Sequence, residues 1–238
     1  MQLSDAERTA IFDAASRAVP FNAPLGPGRS VDLVDAVSTT APATVVDLGC
    51  GTGAIAQMVA ESNPDGSVLG IDSNSVSVAA ARARSAGSTN LSFEVGDASL
   101  WAGPSNAAIC IGASHIFGAS CDMFTALAAG VPCGVAVVGD AYWQRKPTAW
   151  CLEAFGELPS SLHEVLVAAE NSGWQVTSID SSTTEEWDAF EQAWIAGARA
   201  VDSRVAQNFA DQRARDYEHY RGVLGFAWLI VERSPKLA

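Results

Sequence analysis

The sequence predicts an α/β fold in which strands and helices alternate along one doubly wound domain. Short apolar runs rich in β-branched residues predict strands near 44–48, 67–71, 91–95, 106–111 and 134–139. The segments between these runs are rich in alanine and predict helices. A chain of 238 residues with 48% hydrophobic content can fill the core of such a domain.

The remaining segments predict further helices and two more strands. A helix to about residue 19, a loop over 21–28 and a helix from about 30 precede the first strand. A helix near 160–172 leads to a strand at about 174–179, and the chain ends on an apolar run over 222–231 that predicts a last central strand.

The most informative segment is the first strand and the turn after it. Residues 45–53 read Val-Val-Asp-Leu-Gly-Cys-Gly-Thr-Gly, and the next residues have helical composition. Alternating glycines let the backbone turn sharply and approach a ligand without a Cβ in the way. The segment therefore predicts a strand, a glycine turn and a helix whose N-terminus faces a cofactor.

Two classes of cofactor fit this turn. The spacing Gly49-x-Gly51-x-x-Ala54 satisfies the dinucleotide fingerprint. However, Asp47 places a carboxylate near the strand end, where a pyrophosphate would require positive potential. A cofactor with a cationic end, such as S-adenosylmethionine with its ammonium and sulfonium, suits the acid better.

Three later strand ends are consistent with the second class. Asp72 follows an apolar run 19 residues after Gly53 and could accept both hydroxyls of a ribose. Asp97 ends the next strand and could meet the amine of an adenine. The fourth strand runs into a small-residue turn that ends in His115.

With these motifs, the chain resembles the class I S-adenosylmethionine-dependent methyltransferases, of the small-molecule type. The resemblance rests on residues 46–53, 70–72, 96–98 and 110–113, and covers roughly residues 44 to 140. It implies a Rossmann-like, mostly parallel seven-stranded sheet with helices on both faces, an antiparallel last strand and a helical insertion before that strand. The implied activity is methyl transfer from S-adenosylmethionine to a small-molecule acceptor.

The resemblance and the motifs together assign the residues of the site. The expected cofactor contacts are Asp47, Gly49, Cys50, Gly51, Thr52, Gly53, Asp72, Ser73, Asp97, Ala98, Gly112 and Ala113. His115 is the candidate general base, because its ordinary pKa of about 6.5 leaves it able to accept a proton at neutral pH. The alternative is that His115 only bonds its own loop or contacts the cofactor.

The expected acceptor contacts come from the second half of the chain. Tyr142 and Trp143 are expected in a loop after the fifth strand, and either face the acceptor or pack in the core. Trp187 and Glu191 lie in the helical segment 181–221, which carries an aromatic stripe. That stripe predicts packing onto the core, a lid over the transferred methyl group, or both.

The predicted division of the chain has three parts. Residues 1–40 form N-terminal helices and a loop that covers the cofactor, residues 41–180 with 222–238 form the methyltransferase core, and residues 181–221 form the lid.

Charge and composition restrict the partners. A net charge of −13 with only two lysines argues against nucleic acid. The chain shows neither a signal-peptide pattern nor an apolar run of about 18 residues, which predicts a cytoplasmic protein that does not enter membranes. Five scattered cysteines predict reduced thiols and no metal site. Apolar surface on the first helix is compatible with a homodimer.

Two other functions stay open: an NAD(P)-dependent oxidoreductase and a non-catalytic S-adenosylmethionine-binding protein.

Overall fold

The computed structural model describes residues 5–19 and 21–234, and its centre is a seven-stranded sheet. The strands are β1 (Thr44–Leu48), β2 (Ser67–Asp72), β3 (Leu91–Val95), β4 (Ala107–Ile111), β5 (Gly134–Trp143), β6 (Gln175–Ser181) and β7 (Leu224–Arg233). The helices are α1 (Asp5–Ala18), α2 (Pro27–Ser38), α3 (Ala54–Ser62), α4 (Ser75–Arg84), α5 (Ser120–Gly130), α6 (Ala149–Phe155), α7 (Leu162–Asn171), α8 (Thr184–Arg199) and α9 (Arg204–Tyr220). The predicted seven-stranded α/β fold is confirmed.

The strand order creates a natural ligand site. The order across the sheet is β3-β2-β1-β4-β5-β7-β6, with β1 to β5 parallel and β7 antiparallel to both β5 and β6. The chain therefore winds outward from β1 in one direction and from β4 in the other. In such sheets ligands bind where the winding reverses, at the edge where the parallel strands end. We call this edge the carboxyl edge.

The fifth strand differs from the prediction in one respect. The expected loop carrying Tyr142 and Trp143 is wrong, because β5 continues to Trp143. The antiparallel partner β7 pairs with all ten residues of β5. The parallel partner β4 pairs only as far as Gly139. The strand is therefore extended by its second neighbour, which lies far away in sequence.

Side-chain alternation along the strands gives the sheet two buried faces. Val45, Val135 and Val137 pack on one face, which α2, α3 and α4 cover. Their neighbours Val46 and Ala136 pack on the other face, beneath α5 and α7. Because both faces are buried, the central strands are apolar throughout rather than alternating.

The helical segment before β7 packs against the start of the chain. Its two helices α8 and α9 form a separate apolar cluster with α1, built around Ile11, Ala15, Trp194 and Ala210. A Cβ at Gly197 of α8 would lie 2.8 Å from the backbone oxygen of Ala14, so the two helices touch backbone to backbone. The predicted helical insertion is confirmed. The three-part division stays a prediction, and it includes positions 1–4, 20 and 235–238, which lie outside the described residues.

Candidate functional site

The glycine turn, residues 49–53, has a conformation that only glycine accommodates easily. Gly49 and Gly53 have positive φ angles of 76° and 75°. A Cβ on Gly49 would lie 2.6 Å from the Cβ of Ala113, and one on Gly53 would lie 2.4 Å from the ring of Phe93. The turn is therefore closely fitted between the β4 loop and β3.

Asp72, at the end of β2, holds this turn in place. One carboxylate oxygen accepts the backbone N–H of Gly51 at 2.8 Å, and the other accepts the N–H of Asn74 at 2.8 Å. Each carboxylate oxygen can accept a second hydrogen bond. Asp72 can therefore support the turn and still accept two hydroxyl groups from a ligand.

A cavity of about 360 Å³ lies beside the turn at the carboxyl edge, and we call it the glycine-turn cavity. Eleven of the twelve predicted cofactor residues line it: Asp47, Gly49, Cys50, Gly51, Thr52, Asp72, Ser73, Asp97, Ala98, Gly112 and Ala113. The twelfth, Gly53, precedes the first turn of α3 as its N-cap. The structure thus brings the predicted set together around one space.

The glycine-turn cavity has a strongly acidic lining. Asp13, Asp47, Asp72 and Asp97 line it, and no lysine or arginine from the described part of the chain does so. Burial raises the pKa of Asp47 to about 7, and the neighbouring charge of Asp72 contributes. Hydrogen bonds from the hydroxyl and backbone N–H of Ser99 lower the pKa of Asp97, which is exposed. A cation would stabilise the ionised form of Asp47.

The first helix and the loop after it complete this cavity. Phe12, Asp13 and Ser16 of α1 and four residues of the loop (Phe21, Asn22, Ala23 and Leu25) line it together with Trp194 of α8. The indole N–H of Trp194 donates to Asn22 at 3.1 Å, which joins the loop to the insertion. The side chains of α1 and the loop were not among the predicted site residues, and their only signal was the predicted covering role of residues 1–40. Trp194 belongs instead to the aromatic stripe of the predicted lid, residues 181–221.

His115 also lines the glycine-turn cavity, in the loop after β4. Its neighbour Ser114 donates a hydrogen bond to Asp140 of β5 at 2.6 Å, and Ser120 at the start of α5 donates to the same carboxylate. Asp140 is buried, and burial raises its pKa. The His115 loop is therefore held at both ends by one buried carboxylate.

The four predicted acceptor residues divide into two pairs. Tyr142 and Trp143 are buried in the core, where the Tyr142 hydroxyl lies 2.8 Å from the Ser181 hydroxyl and the Trp143 ring packs against Phe155. Trp187 and Glu191 instead line a second cavity. The acceptor roles of all four remain predictions.

This second cavity has a volume of about 370 Å³ and lies between α6, α8 and α9, and we call it the aromatic cavity. Its lining residues are Trp150, Ala154, Phe155, Trp187, Phe190, Glu191, Arg213, Asp216, Tyr220 and Leu224. Because Leu224 begins β7 opposite Trp143 at the end of β5, the cavity lies at the carboxyl edge too.

Glu191 is only 1% exposed, and its charge is fully partnered. Arg213 donates to its two oxygens through Nε at 2.7 Å and Nη2 at 3.0 Å, and the Tyr220 hydroxyl donates at 2.8 Å. The Arg213 guanidinium also lies 4.0 Å from the centre of a Trp194 ring. Glu191 therefore joins α8 to α9 and is not a free carboxylate.

Among residues 5–19 and 21–234, no group of three or more histidine, cysteine, aspartate or glutamate side chains is placed to hold a metal ion. Across the same residues, no helix has the length and apolarity to cross a membrane.

Comparison with known proteins relates part of this chain to methyltransferases. The sequence profile of the methyltransferase domain family matches residues 40–108, from the α2–β1 connection into β4. A trans-aconitate 2-methyltransferase from Methylobacterium radiotolerans is 35% identical over 72 residues, which are 30% of this chain and 26% of that protein. The chain thus matches about a quarter of the length of this curated relative.

Solved structures share the whole fold. An S-adenosylmethionine-dependent methyltransferase from Geobacter sulfurreducens, solved with S-adenosyl-L-homocysteine, is 24% identical, with a TM-score of 0.80 over 94% of this chain and 98% of that chain. Its counterpart from Thiobacillus denitrificans is 23% identical, with a TM-score of 0.77 over 98% and 100%. The chain therefore has the class I S-adenosylmethionine-dependent methyltransferase fold, and the segment 40–108 is recognisably a methyltransferase domain. The predicted class is confirmed at this level.

Proposed function

We propose that this protein transfers a methyl group from S-adenosylmethionine to a small-molecule acceptor. One observation carries the proposal: a closely fitted glycine turn opens into a cavity lined by four aspartates and, among the described residues, by no lysine or arginine. S-adenosylmethionine has an ammonium and a sulfonium but no phosphate, so its charge matches such a cavity. The two fold relatives were solved in complex with S-adenosyl-L-homocysteine, which supports the same class of cofactor.

The dinucleotide alternative fits the cavity less well. A pyrophosphate would be bound at the N-terminus of α3, next to Asp47 and Asp72. The pKa of Asp47 is already raised by burial and, to a smaller extent, by the charge of Asp72. Adding a phosphate would increase the local negative charge further, whereas adding an ammonium would neutralise it.

Each acid has a separate role in this proposal. Asp72 accepts the two ribose hydroxyls through the lone pairs that its bonds to Gly51 and Asn74 leave free. Asp97, exposed at the cavity lining, accepts from the adenine amine. Asp47 faces the ammonium, directly or through water, and becomes fully ionised when that cation is bound.

The protein contributes mainly alignment and exclusion of water. The sulfonium supplies an activated methyl group, and transfer is an in-line displacement that needs no strong acid. His115, the only histidine lining the described glycine-turn cavity, takes a proton from an acceptor that carries an O–H or N–H group. Asp140 is a positioning residue, because its bonds from Ser114 and Ser120 fix the loop that carries His115.

The aromatic cavity is the proposed acceptor site. Trp187 and Glu191 border it, and the segment 181–221 acts as its lid. Tyr142 and Trp143 support the site from the end of β5, with Trp143 against Phe155 of the cavity lining. trans-Aconitate, which the relatives' name identifies, would need several cationic side chains. Arg213 is the single arginine of the described lining, and Glu191 already neutralises it.

Calorimetric titration of the purified protein with S-adenosylmethionine, NAD and NADP tests the cofactor assignment. Micromolar binding of S-adenosylmethionine without binding of either dinucleotide is the expected result, and a preference for NAD or NADP would overturn the proposal. Formation of S-adenosylhomocysteine with a panel of amines, phenols and carboxylic acids then tests turnover. Binding without turnover on every class would favour the non-catalytic alternative.

The role of His115 requires a separate variant. His115→Gln should lower turnover of an O–H or N–H acceptor by about 100-fold, the scale of a positioned general base. The affinity for S-adenosylmethionine should change by less than about threefold. Equal losses in turnover and affinity would instead assign His115 to cofactor binding.

A further inference from the structure

Half of the residues that line the aromatic cavity are aromatic. Five of its lining residues are aromatic: Trp150, Phe155, Trp187, Phe190 and Tyr220. The Trp187 and Tyr220 rings meet edge to face at 6.1 Å, and Phe155 meets Tyr220 at 5.1 Å. Such edge-to-face contacts hold the rings in fixed orientations. The aromatic lining of the cavity is therefore preformed.

The residues that line the aromatic cavity carry a net negative charge. Arg213 and Glu191 form a bidentate pair and cancel each other. Asp216 then remains, and its described hydrogen bond is from the neutral side chain of Gln212 at 2.7 Å. The lining thus carries one uncompensated negative charge, at a half-buried position where screening by water is reduced.

A second observation concerns Trp187, one of the residues that line the aromatic cavity. The indole nitrogen of Trp187 is buried and has no hydrogen-bond acceptor among the described residues. A buried donor that lacks an acceptor is destabilising by about 1–3 kcal/mol. The Trp187 ring is therefore held by packing against its aromatic neighbours and not by a hydrogen bond.

The aromatic cavity is next to the glycine-turn cavity. A Cβ on Gly112, which lines the glycine-turn cavity, would lie 3.8 Å from the Phe226 ring, and that ring packs against Trp187 at 6.4 Å. Helix α8 also borders both spaces, through Trp194 on one side and Trp187 on the other. A ligand in the aromatic cavity is therefore close to the place proposed for the methyl donor.

We propose that the aromatic cavity binds a positively charged organic group of the acceptor, a quaternary ammonium or a protonated amine. Aromatic faces attract such cations, and the single uncompensated carboxylate of Asp216 adds to this attraction. The inference rests on the proposed function, because it names the acceptor class of the same enzyme. A protonated nitrogen has no lone pair, so the methyl-accepting atom is a different atom of the same molecule.

A matched pair of probes tests the charge preference. Choline and 3,3-dimethylbutan-1-ol have nearly the same shape, and both carry a hydroxyl group, but only choline is charged. We expect choline to bind about tenfold more tightly than the alcohol, as a partly desolvated cation–π site predicts. Intrinsic tryptophan fluorescence reports both titrations, in protein saturated with S-adenosylhomocysteine and at constant ionic strength.

Three variants locate the effect. Asp216→Asn should weaken choline binding at least threefold and leave the alcohol unchanged. Trp150→Leu, at a half-buried lining position, should weaken choline about tenfold. Glu218→Gln removes an equal charge from an exposed position of the same helix outside the cavity lining, and should change neither. Circular dichroism checks that each variant is folded.

Several results would overturn the inference. Equal binding of the two probes would make the cavity a neutral apolar site, and tighter binding of a dicarboxylate than of choline would reverse its charge preference. Absence of binding by either probe would also contradict it. Titration of the same samples with S-adenosylmethionine separates these results from failure of the proposed function, because donor binding does not depend on the aromatic cavity.

Discussion

The buried carboxylate of Asp47 makes donor binding depend on pH in a way that can be calculated. In the unliganded protein its pKa is raised to about 7 by burial and by the charge of Asp72. The proposed ammonium partner favours the ionised form. At pH values where Asp47 of the free protein is protonated, binding therefore releases that proton. Affinity for S-adenosylmethionine should consequently rise with pH through this range.

The size of the effect follows from the ionised fraction. With a pKa of about 7, Asp47 is about 3% ionised at pH 5.5 and about 76% ionised at pH 7.5. If the bound state holds the carboxylate ionised throughout, the dissociation constant should be about 25-fold larger at pH 5.5 than at pH 7.5. At pH 7 binding should release about half a proton for each ligand bound.

Calorimetry in two buffers of different ionisation enthalpy measures both the affinity and the released proton. Asp47→Asn keeps the shape of the side chain but does not titrate, so its affinity should be weaker and nearly constant over this range. Asp97→Asn is the matched control, because the pKa of Asp97 is lowered and its loss should weaken binding equally at both pH values. Titration of the ligand itself is common to all variants.

A change of less than threefold in the wild-type dissociation constant would refute this reasoning. Retention of the wild-type slope by Asp47→Asn would refute it as well, since another group would then be the one that titrates. A lost slope in both Asp47→Asn and Asp97→Asn would show that the two acids are coupled rather than independent.

Three further predictions concern affinity and stability. Asp72→Ala removes a charge-assisted hydrogen bond to Gly51 of the glycine turn, another to Asn74, and the proposed ribose contacts. Calorimetry should therefore show affinity for S-adenosylmethionine lower by about 100-fold or more, and a change below threefold would contradict this. Gly197→Ala places a Cβ 2.6 Å from the Cβ of Ala18, and it should lower the melting temperature and weaken donor binding. The expected cost of overpacking, about 1–3 kcal/mol, exceeds the gain in helix propensity, about 1 kcal/mol. Gly28→Ala is the control, because Gly28 has open space around it, and it should be neutral or stabilising. The unliganded wild-type protein should lose stability as pH rises from about 4 to 7, because native Asp47 keeps its proton in that window while the unfolded chain has released it. Chemical denaturation of Asp47→Asn should lack this contribution. An unchanged dependence of the unfolding free energy on pH in that variant would disprove the prediction.

The half of the site around β1 to β4 could be predicted from the sequence because its signals are local. The glycine turn must adopt positive φ angles within a few residues of β1, and the acids stand directly at strand ends. Parallel neighbours then bring Asp47 and Asp72 to the same edge without further information. Eleven predicted residues consequently line one cavity.

The other half depends on contacts between distant segments. The ten-residue pairing with β7 extends β5 beyond its parallel neighbour and turns the expected loop at Tyr142 and Trp143 into strand. Helix α1 reaches the cavity because Gly197, far along the chain, lets it approach α8 closely. The stripe pattern predicted the buried face of α8, but the partner of Glu191, Arg213, lies on another helix. Periodicity identifies a face and does not identify what covers it.

This division has a consequence for the choice of acceptor. The family profile ends at residue 108, whereas the aromatic cavity is lined by residues 150 to 224. The matched part therefore contributes half of the residues that line the proposed donor site, whereas α6, α8, α9 and the start of β7 line the proposed acceptor site. In the proposed donor site the acids outnumber the bases, which matches a cationic donor. The same excess, on a smaller scale, continues through Asp216 in the proposed acceptor site. A cationic donor and a cationic acceptor at one sheet edge would repel each other, and such an acidic lining would offset that repulsion.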